Sequence, residues 1–394
     1  MTSSSLHPSI SSVFADIDDP RVIARSSHLL IDVLTIAVCA ILCGAEGWAD
    51  MELFGKSKED WLRTFLKLPN GIPSHDTFAR IFAAIDPDQF RECFIRWTQS
   101  LMDIDEDLIA IDGKTLRGSR DKGKSAIHIV SAWASANSLV LGQYRVDEKS
   151  NEITAIPELL RILHIKGALI TIDAMGCQKD IAEQIVDAGA DYLLAVKGNQ
   201  RKLLNVLRAA RMQAWQRDQD EDGEHKPHIE RESGHGRESV RYCVATSVGE
   251  YAKTLMKQGD EQALEELAEV RQVWPGLATM ISVYSNQDVS RESGSGFEMR
   301  HYISNRDSDN AEEMLSNVRR HWEIENKLHW VLDVQFNEDQ SRIRSKNSAE
   351  NMAILRHLTL NILKRDKSVK RGVKAKRKLA GWDHAYLAQL LGLK

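Results

Sequence analysis

The chain opens with helical periodicity. From Leu29, the run LLIDVLTIAVCAILCGAEGW is apolar almost throughout, carries Asp32 and breaks near Gly44. That is short for a spanning helix and predicts one buried in a core. KEDWLRTFLKL and SHDTFARIFAAI repeat apolar residues at helical spacing on either side of PNGIP. They predict two amphipathic helices around a Pro/Gly turn, with Ser74 as the N-cap of the second. Such a pair either packs as a bundle or lays one helix in a DNA groove. Residues 1–95 are therefore predicted to form an all-helical domain.

Near residue 107 the period changes. DLIAIDG predicts a strand ending in an Asp-Gly turn, and AIHIVSAWAS and LVLGQYRV predict two more, joined at Asn137-Ser138. AIPELLRILHI predicts a helix with Pro157 in its first turn. ALITIDA is a buried strand, QKDIAEQIVDAG a helix closed by Gly189, and DYLLAVKG a further strand. This order predicts a mixed sheet covered by helices. Residues from about 200 to 305 depart from it. They hold an acidic run, DQDEDGE at 218–224, a helix around EQALEELAEV, and a Gly/Ser-rich loop at SRESGSG. With ESVRYCVATSV, ATMISVYS and FEMRHYIS as strands, the segment is predicted to be a largely β insertion. Beyond 310 the pattern is helical again.

In RRHWEIENKLHWVLDV, residues 319–334, Ile324, Leu328, Val331 and Leu332 form one apolar stripe. Glu323 and Lys327 fall on the opposite face as a solvated pair. Glu325 falls at the stripe's edge between His321 and His329, where a half-buried carboxylate needs a partner or a metal. Two other acids end buried strands: Asp112 in LIAIDG and Asp173 in LITIDA. Asp-Gly is a common turn pair, so a turn former accounts for Asp112, whereas Asp173-Ala174 has no such reading. The predicted strand order makes the two strands neighbours. With Glu325 they form an all-oxygen set suited to Mg²⁺ or Mn²⁺. His321, Glu325 and His329 could alternatively hold zinc, which would leave both aspartates without a role.

Bulk numbers narrow the class. The 394 residues are 42% hydrophobic and 28% charged, the balance of a soluble globular protein. The start lacks the pattern of a cleaved leader, and no membrane partner is expected. The five cysteines form no CxxC pair, which predicts reduced core thiols and a cytoplasmic location. A net charge of −5 argues mildly against nucleic acid, yet residues 364–378, KRDKSVKRGVKAKRK, are nearly all basic. Residues 366–394 are accordingly set apart as a basic C-terminal tail, either a solvated end or a nucleic-acid contact.

These features together resemble a ribonuclease H-like catalytic domain of the DDE class. IDGKTLRGS, KSNEITAIPELL, DAMGCQKDIA, DYLLAVKGNQ, GHGRESVRY and HWEIENKLHWVLDVQFNED, in that order, are similar to the H-repeat-associated branch of insertion-sequence transposases. The resemblance extends over about residues 12–365. It implies an α/β fold: a ribonuclease H-like core over 96–365 with the insertion at about 200–305, preceded by a helical domain over 1–95 that contacts DNA. It places the catalytic, metal-holding triad at Asp112, Asp173 and Glu325. It implies two Mg²⁺ or Mn²⁺ ions, cleavage at element ends, and attack of the freed 3′-OH on target DNA, without a covalent protein–DNA link. The expected partners are double-stranded DNA, both terminal inverted repeats and target, and a second copy in a synaptic homodimer.

Related transposases carry a Tyr-Arg-Glu-Lys signature around this Glu, where this chain has Val318, His321 and Leu332. Arg319, Arg320, His321 or His329 could supply those phosphate contacts. Lys114, Arg117, Lys197 and Asn199, which follow the catalytic strands, are further candidates for DNA contact. The rival functions are a DNA-binding protein that has lost this chemistry and a structure-specific nuclease of the same fold.

Overall fold

The computed structural model describes residues 13–14, 16–22, 26–101, 107–121, 125–146, 151–218, 227–234, 237–287 and 297–393. The acidic run and the SRESGSG loop lie almost wholly outside the described residues. In chain order come helices α1 (Leu30–Leu42), α2 (Trp48–Ser57), α3 (His75–Ala84) and α4 (Pro87–Gln99). Strands β1 (Leu108–Leu116), β2 (Ile127–Ala134) and β3 (Leu139–Val146) follow. Then α5 (Glu152–Ile162), β4 (Leu169–Ile172), α6 (Lys179–Asp187) and β5 (Asp191–Val196) alternate. The next stretch holds α7 (Arg201–Asp218), β6 (His228–Gly234), β7 (Arg237–Ser247), α8 (Val248–Gln258), α9 (Glu261–Val273), β8 (Thr279–Gln287) and β9 (Phe297–Ser304). Helices α10 (Ala311–His321), α11 (Trp330–Gln335), α12 (Ser348–Arg365), α13 (Val373–Trp382) and α14 (His384–Leu390) close the chain. No helix among the described residues is long and apolar enough to cross a membrane.

The chain divides into two compact units. The first takes residues 1–103, 113–151 and 324–394, and the second takes 104–112 and 152–323. Two of the crossings fall between Asp112 and Gly113 and between Glu323 and Ile324.

The first unit is built on α12, whose residues from Ser348 to Leu363 are all buried. A helix buried on every side lies inside a core, and its polar positions need partners there. Asn361 supplies both halves of one: its amide donates to the Val140 carbonyl at 2.8 Å and accepts from the Val140 N–H at 2.9 Å. It thereby satisfies a backbone position of β3. Asn351 donates to the Phe82 and Ile85 carbonyls that end α3. Asp32, the charge in the apolar α1, is 2% exposed and accepts from the Leu68 N–H at 2.9 Å. The chain thus turns inward at Leu68, and KEDWLRTFLKL forms only one helical turn, Glu59–Leu62, in place of the predicted helix. Ser74 caps α3 as predicted, accepting from the Thr77 N–H.

The second unit is a mixed sheet in the order β1-β4-β5-β9-β8-β7-β6. β1, β4 and β5 run parallel, and the remaining pairings are antiparallel. The strands after residue 200 therefore extend this sheet, with α7, α8 and α9 folded among them in sequence. The periodicity had predicted only the last of these helices. Helix α5 starts five residues before Pro157, so the proline sits inside the helix rather than in its first turn. Gly189 follows α6 with φ +73°, the left-handed stop predicted for it. The free cysteines are buried apart from the partly buried Cys43, and burial pushes the Cys177 thiol up to about 12.

Burial also decides how the fold responds to acid. His357 on α12 is held neutral by its desolvation, which lowers it to about 4. Its ordinary value is near 6.5, so between those limits the unfolded chain binds a proton that the folded chain does not. Stability should therefore fall as pH drops from about 6.5 towards 4. The His357→Leu variant is expected to flatten that decline by roughly 1.4 kcal/mol per pH unit, measured by urea unfolding at pH 5.0 to 6.5. An unchanged slope would contradict a buried neutral imidazole.

Candidate active site

In the second unit, β1 and β4 pair in parallel from Leu108↔Leu169 through Ile111↔Ile172. The next residues in this register are Asp112 and Asp173, on strands about 4.8 Å apart. Four buried residues precede the aspartate in each strand, all apolar but Thr171, and the aspartate comes where the chain leaves the buried layer; both aspartates are partly buried. The Asp-Gly pair does not turn the chain, because β1 continues through Gly113 to Leu116. Asp173 ends its strand. Its Oδ1 accepts from the Met175 N–H at 2.9 Å and the Gly176 N–H at 3.3 Å, which fixes the carboxylate. Gly176 is required in that turn, since a Cβ there would lie 2.3 Å from Ile172 Cγ2. Asn199 donates to the Ala174 carbonyl at 2.9 Å and ties the loops after β4 and β5 together.

Glu325 lies in the first unit. Ile324, Leu328, Val331 and Leu332 are buried as the stripe predicted. The exposures of the two glutamates are the reverse of those predicted: Glu325 is exposed and Glu323 partly buried. The cause is local. The helix is not continuous through this stretch; α10 ends at His321, and Glu325–His329 forms a π turn. The wider turn leaves His329 buried and Trp330 54% exposed. Single π turns inside helices are frequent at functional sites. Glu325 Oε2 stands 3.8 Å from His329 Nδ1.

Most of the candidate DNA-contacting residues have partners within their own units. Lys114 Nζ lies 2.5 Å from Asp333, 3.1 Å from Glu338 and 3.3 Å from Asp339. Burial alone would lower this ammonium, but the Glu338 carboxylate, with Asp333 and Asp339, outweighs it and holds the group above its ordinary value. Glu338 is 1% exposed at its side chain and also meets Arg356 at 3.4 Å. Burial would raise it, yet Arg356 and Lys114 hold it below its ordinary value. Lys114 thus ties β1, two residues past Asp112, to the segment following Glu325. These three acids were visible in VLDVQFNED, but nothing in their spacing marks a lysine 219 residues away as their partner.

Arg319 pairs with Glu230 and Glu232 on β6. Arg320 reaches Asp107 at 3.4 Å, and His321 Nδ1 is 2.9 Å from Thr171 Oγ1. Arg117, 81% exposed at its side chain and 3.5 Å from Asp339, and the exposed Lys197 remain the outward-facing cations of this set.

Comparison with known proteins gives the family of the chain. The model of the transposase DDE domain matches residues 103–362, and a DDE-transposase-associated model matches residues 11–98. The chain belongs to the DDE transposase family. It is 43% identical to the "H repeat-associated putative transposase YhhI" of Escherichia coli K12, over 95% of each chain. It is 42% identical to the "Putative transposase YncI" of Escherichia coli O157:H7, over 95% of this chain and 92% of that one. It is also 46% identical to the "H repeat-associated putative transposase YbfD" of Escherichia coli K12, over 59% of this chain and 91% of that one. Transposases of this family act on DNA, and their DDE domains generally use divalent metal. At the signature positions, this family member has buried aliphatic residues, Val318 and Leu332, in place of Tyr and Lys.

Removing the ammonium of Lys114 would leave three carboxylates together, one of them fully buried. The Lys114→Met variant is expected to lose about 3 kcal/mol in urea unfolding, and Asp339→Asn, the partner farthest from Nζ, far less. Equal losses would mean that Glu338 is neutralised by Arg356 alone.

Proposed function

We propose that this transposase cuts DNA at the ends of an insertion sequence and joins the freed 3′-OH to target DNA, with Asp112, Asp173 and Glu325 as its metal-holding triad on a ribonuclease H-like core. The observation that carries the proposal is the register of β1 and β4, which makes Asp112 and Asp173 adjacent. Two carboxylates at that spacing repel unless one is protonated or a cation lies between them. An all-oxygen donor set suits Mg²⁺ or Mn²⁺. When bound, a pair of such ions supplies activation of the attacking oxygen and stabilisation of the leaving one.

The chain's own residues do the rest. The Met175 and Gly176 N–H groups orient Asp173. Glu325 is solvent-facing and rides on a π turn whose far end is anchored by the buried Leu328 and His329. The Lys114 network holds the segment after that turn. Arg117 and Lys197 are the cations placed to meet phosphates beside the strand ends. Val318 and Leu332 take no part in holding phosphate. Transposition brings two element ends together at one target, so the active species is a synaptic homodimer.

The test is cleavage of a labelled duplex carrying an element end and its flank, in Mg²⁺ or Mn²⁺. Glu325→Gln is expected to lower the rate by ~10²–10⁴ while DNA binding persists. Glu323→Gln is expected to stay within a few-fold of the parent. A dead Glu323→Gln beside an active Glu325→Gln would move the site to the other glutamate. An uncut duplex in both metals, with the protein folded and bound, would make the protein a binder only.

A further inference from the structure

The basic segment predicted as a tail is folded, and its cations are sorted by face. Between 364 and 382 the sequence has nine Lys and Arg against one Asp. On α13, Lys376 and Arg377 are buried. Lys376 donates to the Leu363 carbonyl at 2.9 Å, and Arg377 to the Ile41 carbonyl at 2.9 Å, with its guanidinium 4.2 Å from the Phe336 ring centroid. These two hold the helix to the first unit. The opposite face carries Lys374, Lys378 and Trp382 at i, i+4 and i+8, all exposed, with Trp382 76% exposed. At 100° and 1.5 Å per residue they form one stripe with steps of about 6 Å. Lys367, Lys370 and Arg371, in the turn that leads into α13, are exposed as well. None of these five cations makes an ion pair among the described residues.

We infer that this stripe, Lys367, Lys370, Arg371, Lys374, Lys378 and Trp382, is a contact surface for the sugar–phosphate backbone of duplex DNA; the inference rests on the transposase reading above. Charge complementarity carries it. A chain of net charge −5 keeps five unpaired cations along one helix and its lead-in, which is the electrostatic footprint of phosphate binding. Single-strand surfaces instead stack successive bases on several aromatic rings, and this stripe has one. The Trp382 indole offers an N–H to a phosphate oxygen and an apolar face to a deoxyribose. Contacts of this kind position the duplex without reading its sequence.

The test measures binding of the full chain to a fluorescein-labelled random-sequence duplex by anisotropy, in EDTA, across a NaCl series. Each phosphate neutralised contributes about 0.9 to the slope of log affinity against log salt. The double variant Lys374→Gln/Lys378→Gln is expected to reduce that slope by about 1.8, twice the single contribution. Trp382→Ala is expected to weaken binding severalfold and leave the slope unchanged, because no charge is lost. Circular dichroism should match the parent, since all three side chains are exposed. An unchanged slope in the double variant overturns the inference. If the parent still cuts an element-end duplex in Mg²⁺, the transposase reading survives that result. A parent chain that binds anionic phosphatidylglycerol vesicles but no duplex overturns both.

Discussion

The parallel ladder between β1 and β4 is the constraint on which the rest of the molecule depends. Its register is narrowly set, because a shift of one residue would change which residues enter and leave the buried layer at the strand ends. Leu108 to Ile111 and Leu169 to Ile172 are all buried, so that shift would carry an aspartate into the layer or an isoleucine out of it. The same register sets Asp112 beside Asp173. An unfavourable pairing of like charges is therefore imposed by hydrophobic burial. A hard divalent cation between the two would relieve it.

A second layer of the structure consists of cations held by carboxylates and carbonyls within each unit. Lys114, Arg319 and Arg377 are all basic residues that sequence inspection assigns to DNA or to a loose tail. In the fold they fasten backbone segments: β1 to the stretch beyond Glu325, α10 to β6, and α13 to the end of α1. What distinguishes Lys114 and Arg377 from Arg117, Lys197 or Lys374 is low exposure, whereas Arg319 is only partly buried. A buried ammonium or guanidinium without a partner is too costly to exist, so burial and pairing go together.

Much of this was legible in the sequence, and the failures have physical causes. The apolar runs before Asp112 and Asp173 named both strands and their neighbour relation, because a continuous apolar run has few places to go. The stripe 324, 328, 331 and 332 was equally clear. The exposures of Glu323 and Glu325 were not, since the prediction assumed 3.6 residues per turn through a segment that contains a π turn. The turn at Asp112-Gly113 failed because β1 runs on to Leu116 beside the following strand, β2. Tertiary pairing overrode a local turn preference. The ion partners of Lys114 and Arg319 were beyond reach, as pairing across such separations leaves no periodic trace. The helical fold of 373–390 was hidden by charge: the buried Lys376 and Arg377 look identical in sequence to the exposed Lys374 and Lys378.

The π turn at Glu325–His329 has a consequence for how this protein can vary. A π turn holds one residue more than the α-helical path it replaces. Deleting a single residue there would give a more regular helix with a better local hydrogen-bond ladder. The helix beyond would keep its place, because the same path is spanned with one residue fewer. Asp333 would stay on Lys114 and Leu332 in the core. What would be lost is the widened turn itself, and with it the placement of the exposed Glu325 beside the buried His329. A change of length here therefore acts on where Glu325 stands and not on the fold beyond it.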